Sequence, residues 1–154
     1  MAIMDSKLYF MDAQSLAGSV GATIAGNTVD LGPRVDWNGN AVTNRVGRGV
    51  PIYVHARIGT VVAGHVATGT VAVYLQDGGH DTPASYANLV NMNLLGAASQ
   101  LQSTLSAGKL LFSGMLPVSC KRYLRAKITV AAATLTSGTI DIWMDAENLA
   151  KTME

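Results

Sequence analysis

The sequence predicts an all-β domain, an antiparallel two-sheet sandwich of eight or nine short strands. Two observations carry that expectation. Several segments alternate apolar and polar side chains with a period of two, as half-buried strands require. Sixteen glycines, helped by Asn, Asp and Pro, cut the chain into short runs rich in Val, Thr, Ile and Ala. No fixed repeat of about 20 to 50 residues is present, so stacked-repeat architectures are not expected.

Taken in chain order, Lys7 to Asp12, Thr28 to Leu31 and Val42 to Val46 read as weaker strands. Pro51 to Ile58 is the clearest. Ile52, Val54, Ala56 and Ile58 fall on one face, and Tyr53, His55 and Arg57 on the other. In Thr70 to Gln76, Val71, Val73 and Leu75 oppose Ala72 and Tyr74. Leu89 to Leu94 and Lys109 to Gly114 are further strand candidates. Ala97, Ala98, Leu101 and Leu105 sit near helical spacing, yet Asn91, Asn93 and Gly96 interrupt them, so Ser85 to Leu105 reads as strand plus loop. In Arg122 to Val130, Leu124, Ala126, Ile128 and Val130 point inward and Arg125, Lys127 and Thr129 outward. Ile140, Ile142 and Met144 alternate with Asp141, Trp143 and Asp145 in Thr139 to Asp145. One apolar and one polar face per strand is the pattern of antiparallel sheets packed against each other. One domain over residues 1–154 is expected, with an N-terminal arm over about 1–16 and a polar tail over about 147–154.

A chain of 154 residues is long enough for one real core without disulfides or metals. Charged residues make up only 14% of it, against roughly 25% in an average soluble domain. A surface so thinly charged suggests that a partner covers part of it. The net charge of +1 argues against direct nucleic-acid binding, which needs a clustered excess of Lys and Arg. The local cluster Lys121, Arg122, Arg125 and Lys127 alternates as the solvent face of a strand would. Cys120 is alone, which excludes an internal disulfide and fits a reduced setting. Met1 to Phe10 holds Asp5 and Lys7 and reads as no signal peptide. No apolar run approaches the roughly 18 residues of a spanning helix, so no membrane partner is expected.

The catalytic patterns whose letters occur in the chain lack the context they need. Ala17-Gly18-Ser19-Val20-Gly21 contains the letters of a nucleophile elbow, but no amphipathic helix follows it. His55, His65 and His80 lie too far apart in sequence to form a local metal pair. Asp77, Gly79 and Asp81 faintly resemble a calcium loop, yet a hairpin turn using Asp and Gly for positive φ explains them better. Gly47-Arg48-Gly49 precedes a strand and so cannot seat a phosphate on a helix. Cys120 has no convincing partner His and reads as a small buried hydrophobe. No enzyme activity, cofactor or metal is expected. The segment Gly32 to Asn40 is a long connection carrying Arg34 and Trp37, residue types that anchor interfaces, although Trp37 could equally fold back over the core.

In order, several segments resemble a known family: Leu8-Tyr9-Phe10-Met11-Asp12-Ala13-Gln14-Ser15-Leu16, Val29-Asp30-Leu31-Gly32, Val50-Pro51-Ile52-Tyr53-Val54, Val71-Ala72-Val73-Tyr74-Leu75-Gln76, Lys121-Arg122-Tyr123-Leu124-Arg125 and Thr136-Ser137-Gly138-Thr139-Ile140. Together they are similar to the jelly-roll capsid cement, or decoration, proteins of tailed bacteriophages, as on a short-tailed Bordetella phage. The resemblance runs from about Leu8 to Met144, leaving out Pro33 to Arg48 and the charged tail. It implies a jelly-roll β-sandwich on the outer surface of a phage head, made in the host cytoplasm. Its partners would be the major capsid protein and itself, as a dimer or trimer. Candidate contact residues are Leu8, Tyr9 and Phe10 of the arm, and Arg34 and Trp37 of the long loop. A rival expectation is a carbohydrate-binding jelly roll that stacks sugar on Trp143 beside Asp141 and Asp145, or on Trp37.

Overall fold

The computed structural model of the chain describes residues 9–32, 38, 51–64, 68–94, 100–117 and 119–145. The expected strand Val42 to Val46 and the tail from 147 lie outside the described residues. Within them, strands form wherever alternation predicts, because each must bury one face. They are β1 (Tyr9–Ser15), β2 (Thr23–Ala25), β3 (Val29–Asp30), β4 (Tyr53–Gly64), β5 (Thr70–Gly78), β6 (Ala87–Asn93), β7 (Gln100–Leu101), β8 (Leu110–Met115), β9 (Tyr123–Ala131) and β10 (Leu135–Asp145). Short 3-10 turns at Pro83–Ser85 and Gln102–Thr104 are the helical pieces of the described residues.

The strands build two antiparallel sheets packed face to face. One has the order β1-β10-β4-β8; the other runs β2-β9-β5-β6, with β3 also on β9 and β7 also on β5. The pairing is nested. β1 meets β10, β2 meets β9, β4 meets β8 and β5 meets β6. A long hairpin rolled up on itself in this way is a jelly roll.

The core is the set of inward positions from both sheets. Val54, Ala56 and Ile58 of β4 sit opposite Met144, Ile142 and Ile140 of β10. Val71, Val73 and Leu75 of β5 sit opposite Val130, Ile128 and Ala126 of β9. All of these are buried, with Phe10, Met11 and Leu16 closing the β1 side. Each large aliphatic group contributes about 1.5–3 kcal/mol by leaving water, which is what selects this register over a one-residue slip.

The boundaries depart from the sequence reading in instructive places. β4 runs past Ile58 to Gly64, and β10 starts at Leu135 instead of Thr139. Glycine reads as punctuation in a sequence. Here Gly138, at φ +121°, lets the two strands cross where a Cβ would lie 2.9 Å from Val62 Cα. Register shifts on both sides of Gly138 mark an irregular, bulged crossing that keeps the pairing going. Residues 9–15 of the expected arm are strand β1, held on β10 because Phe10 and Met11 belong to the core. The Asp77-Gly78 pair closes β5 instead of forming a turn, and neither Gly78 nor Gly79 has positive φ.

Candidate interaction surfaces

Two outward sheet faces remain once the core is filled. The candidate contact residues fall unevenly on them. Leu8, Arg34 and Trp37 lie outside the described residues. Phe10 is completely buried and offers no side-chain surface to a partner, while its carbonyl accepts the Asn27 N–H at 2.8 Å. Tyr9 is half-buried and stands on the outward face of the four-stranded sheet.

That face is an aromatic row. Tyr9 on β1 lies 6.3 Å from Trp143 on β10, and Trp143 lies 5.3 Å from His55 on β4. Tyr53 stacks two residues along from His55 at 6.3 Å. Such cross-strand ring pairs contribute beyond their buried area. The Arg57 guanidinium sits 5.7 Å from the Trp143 ring centre and donates to Asp141 Oδ2 at 3.1 Å. Asp141 Oδ1 accepts the Ala13 N–H at 2.8 Å, pinning the bulge of β1, where Ala13 has φ +45°. Burial, followed by the nearby charges of Asp12 and Asp141, holds the Tyr9 phenol above its usual pKa against the opposing pull of Arg57.

Alternation predicts His55 and Trp143 to face water. The structure closes both: His55 is 0% and Trp143 5% exposed. Period two tells which side of the sheet a residue takes, and large rings on neighbouring strands decide whether that side stays wet. A sugar therefore finds no open Trp143 ring to stack on, and Asp141 is already engaged by Arg57 and Ala13. Of the other residues of that expectation, Asp145 is half-buried at the end of β10, and Trp37 lies outside the described residues.

The outward face of the six-stranded sheet is built differently. A polar ladder crosses three strands. Gln76 Nε2 donates to Asn88 Oδ1 at 2.8 Å, and Arg125 Nε donates to Gln76 Oε1 at 3.0 Å. The Arg125 guanidinium lies 3.9 Å from the Tyr86 ring centre, a cation–π stack. Tyr86 in turn donates to Asp81 at 2.7 Å, and Thr28 donates to the same oxygen at 3.1 Å. Burial foremost, with Asp81 adding to it, raises the Tyr86 phenol, while Thr28 and Arg125 pull the other way.

Further along, Arg122 grips Asp30 with two parallel bonds of 2.7 Å, tying β3 to β9, and lies over the Tyr123 ring at 4.8 Å. Those bonds foremost, against the opposing effect of burial and with help from the Gly32 N–H, hold the Asp30 carboxyl below its ordinary value. The Lys121 N–H donates to Asp77 Oδ2 at 2.8 Å, and its ammonium lies 3.9 Å from the same carboxylate. Lys127 faces Tyr74 across the β9–β5 pair. The sequence reading singled out the cations of this face as a cluster but joined none of them to Asp30, Gln76, Tyr86 or Asn88. Their partners are set by strand pairing, which leaves no local signal.

Among the described residues no three His, Cys, Asp or Glu side chains gather as a metal site. Asp77 is buried towards Lys121 and Asp81 turns to Tyr86 and Thr28, so the two acids of the expected turn diverge. Ser19 precedes a turn and then β2, with no helix to aim it. Cys120 is buried. No helix of the described residues is long and apolar enough to cross a membrane.

Among curated proteins, none matches the chain. The family model Bbp16, of a Bordetella bacteriophage protein family, matches residues 10–144. That span starts at the second residue of β1 and stops one residue before the end of β10, so strands of both sheets fall within it. With most of its length matched, the chain belongs to the Bbp16 family and is a phage structural protein.

Proposed function

We propose that this protein is a capsid cement protein, bound to the outer surface of a phage head across neighbouring major capsid subunits. The carrying observation is the match of residues 10–144 to a Bordetella phage family on a jelly-roll sandwich. The physical case is mechanical. Packaged DNA pushes a head outward, and a rigid body fastened to two subunits raises the cost of separating them. A two-sheet sandwich suits that task, since its flat faces are held by a continuous core. Self-association as a dimer or trimer gives each particle several attachment points. The later contacts then become intramolecular, and such linkage raises avidity by about 10²–10⁴ without new chemistry. With 14% charged residues, the chain has the thinly guarded surface that a covered face requires. No turnover is needed for any of this.

Mass spectrometry of purified virions tests the reading. The chain is expected at a fixed ratio to the major capsid protein, and heads lacking it are expected to rupture at lower temperature than complete ones. Absence from virions, or equal resistance of heads with and without it, overturns the proposal.

A further inference from the structure

We propose that the outward face around Arg125 and Lys127 is a receptor for carboxylates on an acidic protein segment of the phage head. The inference rests on the cement reading and adds the face used and the chemistry it recognises.

The described residues hold six Lys and Arg side chains: three are neutralised by an acid, Lys109 donates to the Thr104 carbonyl at 3.1 Å beside β8, and two stand together on β9. Arg57 is neutralised by Asp141, Arg122 by Asp30 and Lys121 by Asp77, each within 4 Å. Arg125 and Lys127 have no ion pair among the described residues. They stand two residues apart on β9 with their side chains on one face, since Leu124, Ala126 and Ile128 between and beside them are buried. That spacing puts them about 7 Å apart along the strand, in reach of one short segment.

Arg125 is also prepared for an anion. Its Nε is taken by the neutral Gln76 and its plane rests on Tyr86, so the side chain is already held in place. No hydrogen bond from either Nη is made within the described residues. A guanidinium fixed in this manner presents a flat pair of donors that matches a carboxylate, and little side-chain entropy remains to be lost on binding. Arg and Tyr are, moreover, the residue types that carry energy at protein interfaces.

The same surroundings disfavour a nucleic acid. Asp81, bonded to the Tyr86 on which Arg125 rests, and Asp30, opposite Tyr123 two residues before Arg125, border the pair, and a polyphosphate chain would run past them. Isolated carboxylates fit between such neighbours, whereas a continuous line of phosphates is repelled.

The test compares full-length wild type with Arg125→Gln/Lys127→Gln and with Arg57→Gln, by co-sedimentation with purified heads lacking the protein, over a range of salt. The double variant is expected to bind roughly tenfold to a hundredfold more weakly, with a shallower salt dependence. Arg57→Gln is expected to bind as wild type. Lys127→Gln alone guards against loss of the Gln76 and Tyr86 contacts disturbing the fold, and is expected to bind about threefold to tenfold more weakly. If wild type itself does not sediment with heads, the cement reading fails. If wild type sediments and the variants do so equally well, only the assignment of this face fails. Loss of self-association in the variants, or tighter binding of wild type to DNA than to heads, would likewise overturn the carboxylate assignment.

Discussion

The two outward faces of the sandwich begin from the same pattern and end as opposites. On the four-stranded sheet the outward side of β10 and β4 carries Trp143 and His55, and both are closed off from water. On the six-stranded sheet the outward side of β9 carries Arg125, resting on the Tyr86 ring, and Lys127, and both stay half-buried. The difference lies in what stands on the neighbouring strand. Rings facing rings at Tyr9, Trp143 and His55 exclude water from each other. Gln76, itself buried, takes the Arg125 Nε and donates to Asn88, while Arg125 stays half-buried. One face thus closes over its rings, and the other keeps two cations partly open to solvent.

The largest expected effect tests the first half of that contrast. Trp143→Ala should cost about 3–5 kcal/mol, as deletion of a buried indole does, whereas Lys127→Ala should stay within about 0.5 kcal/mol. Urea titrations followed by circular dichroism measure both. A cost below about 1 kcal/mol for Trp143→Ala would make the aromatic face an ordinary surface and erase the comparison.

A middle-sized effect is expected where the four-stranded sheet crosses itself. Gly138→Ala has to place a Cβ against Val62 backbone at positive φ and should cost about 1–3 kcal/mol. Gly21 also has positive φ, but nothing lies within 4 Å of the Cβ position, so Gly21→Ala should cost about 1 kcal/mol or less. Equal melting temperatures for the two variants would show that the close approach at Val62 relaxes freely.

The smallest effect belongs to the six-stranded sheet and depends on pH. Folding lowers the Asp30 carboxyl, so its bond to Arg122 contributes stability that is full above the ordinary value of 3.8 and lost as pH falls through the folded value. Asp30→Asn should therefore melt slightly below wild type at about pH 5 and together with it at about pH 2. Because the pair is well exposed, added salt should shrink the gap. A gap that persists at pH 2 would mean that Asp30 acts through its backbone turn, where its carboxylate accepts the Gly32 N–H, and not through Arg122.

Period-two alternation by itself determined that the protein is built of strands and which side of each strand is apolar. Leu124, Ala126, Ile128 and Val130, and Val71, Val73 and Leu75, point inward as their spacing requires. It also marked the run of cations on β9, because outward charges on a strand are a local pattern. Strand β2 was not legible: three residues, Thr23–Ala25, are too few to show a period and exist because β9 offers them a ladder. Nor did Gly138 announce that β10 continues through it. Only the tertiary structure decided that β1 pairs with β10 and β5 with β9, and hence that Trp143 would be closed while Arg125 would meet Gln76 and Tyr86. The reason is that a strand's hydrogen-bonding edges are alike in every residue. A chain can state which face a side chain takes, but the neighbour it meets there depends on distant segments burying their apolar faces together.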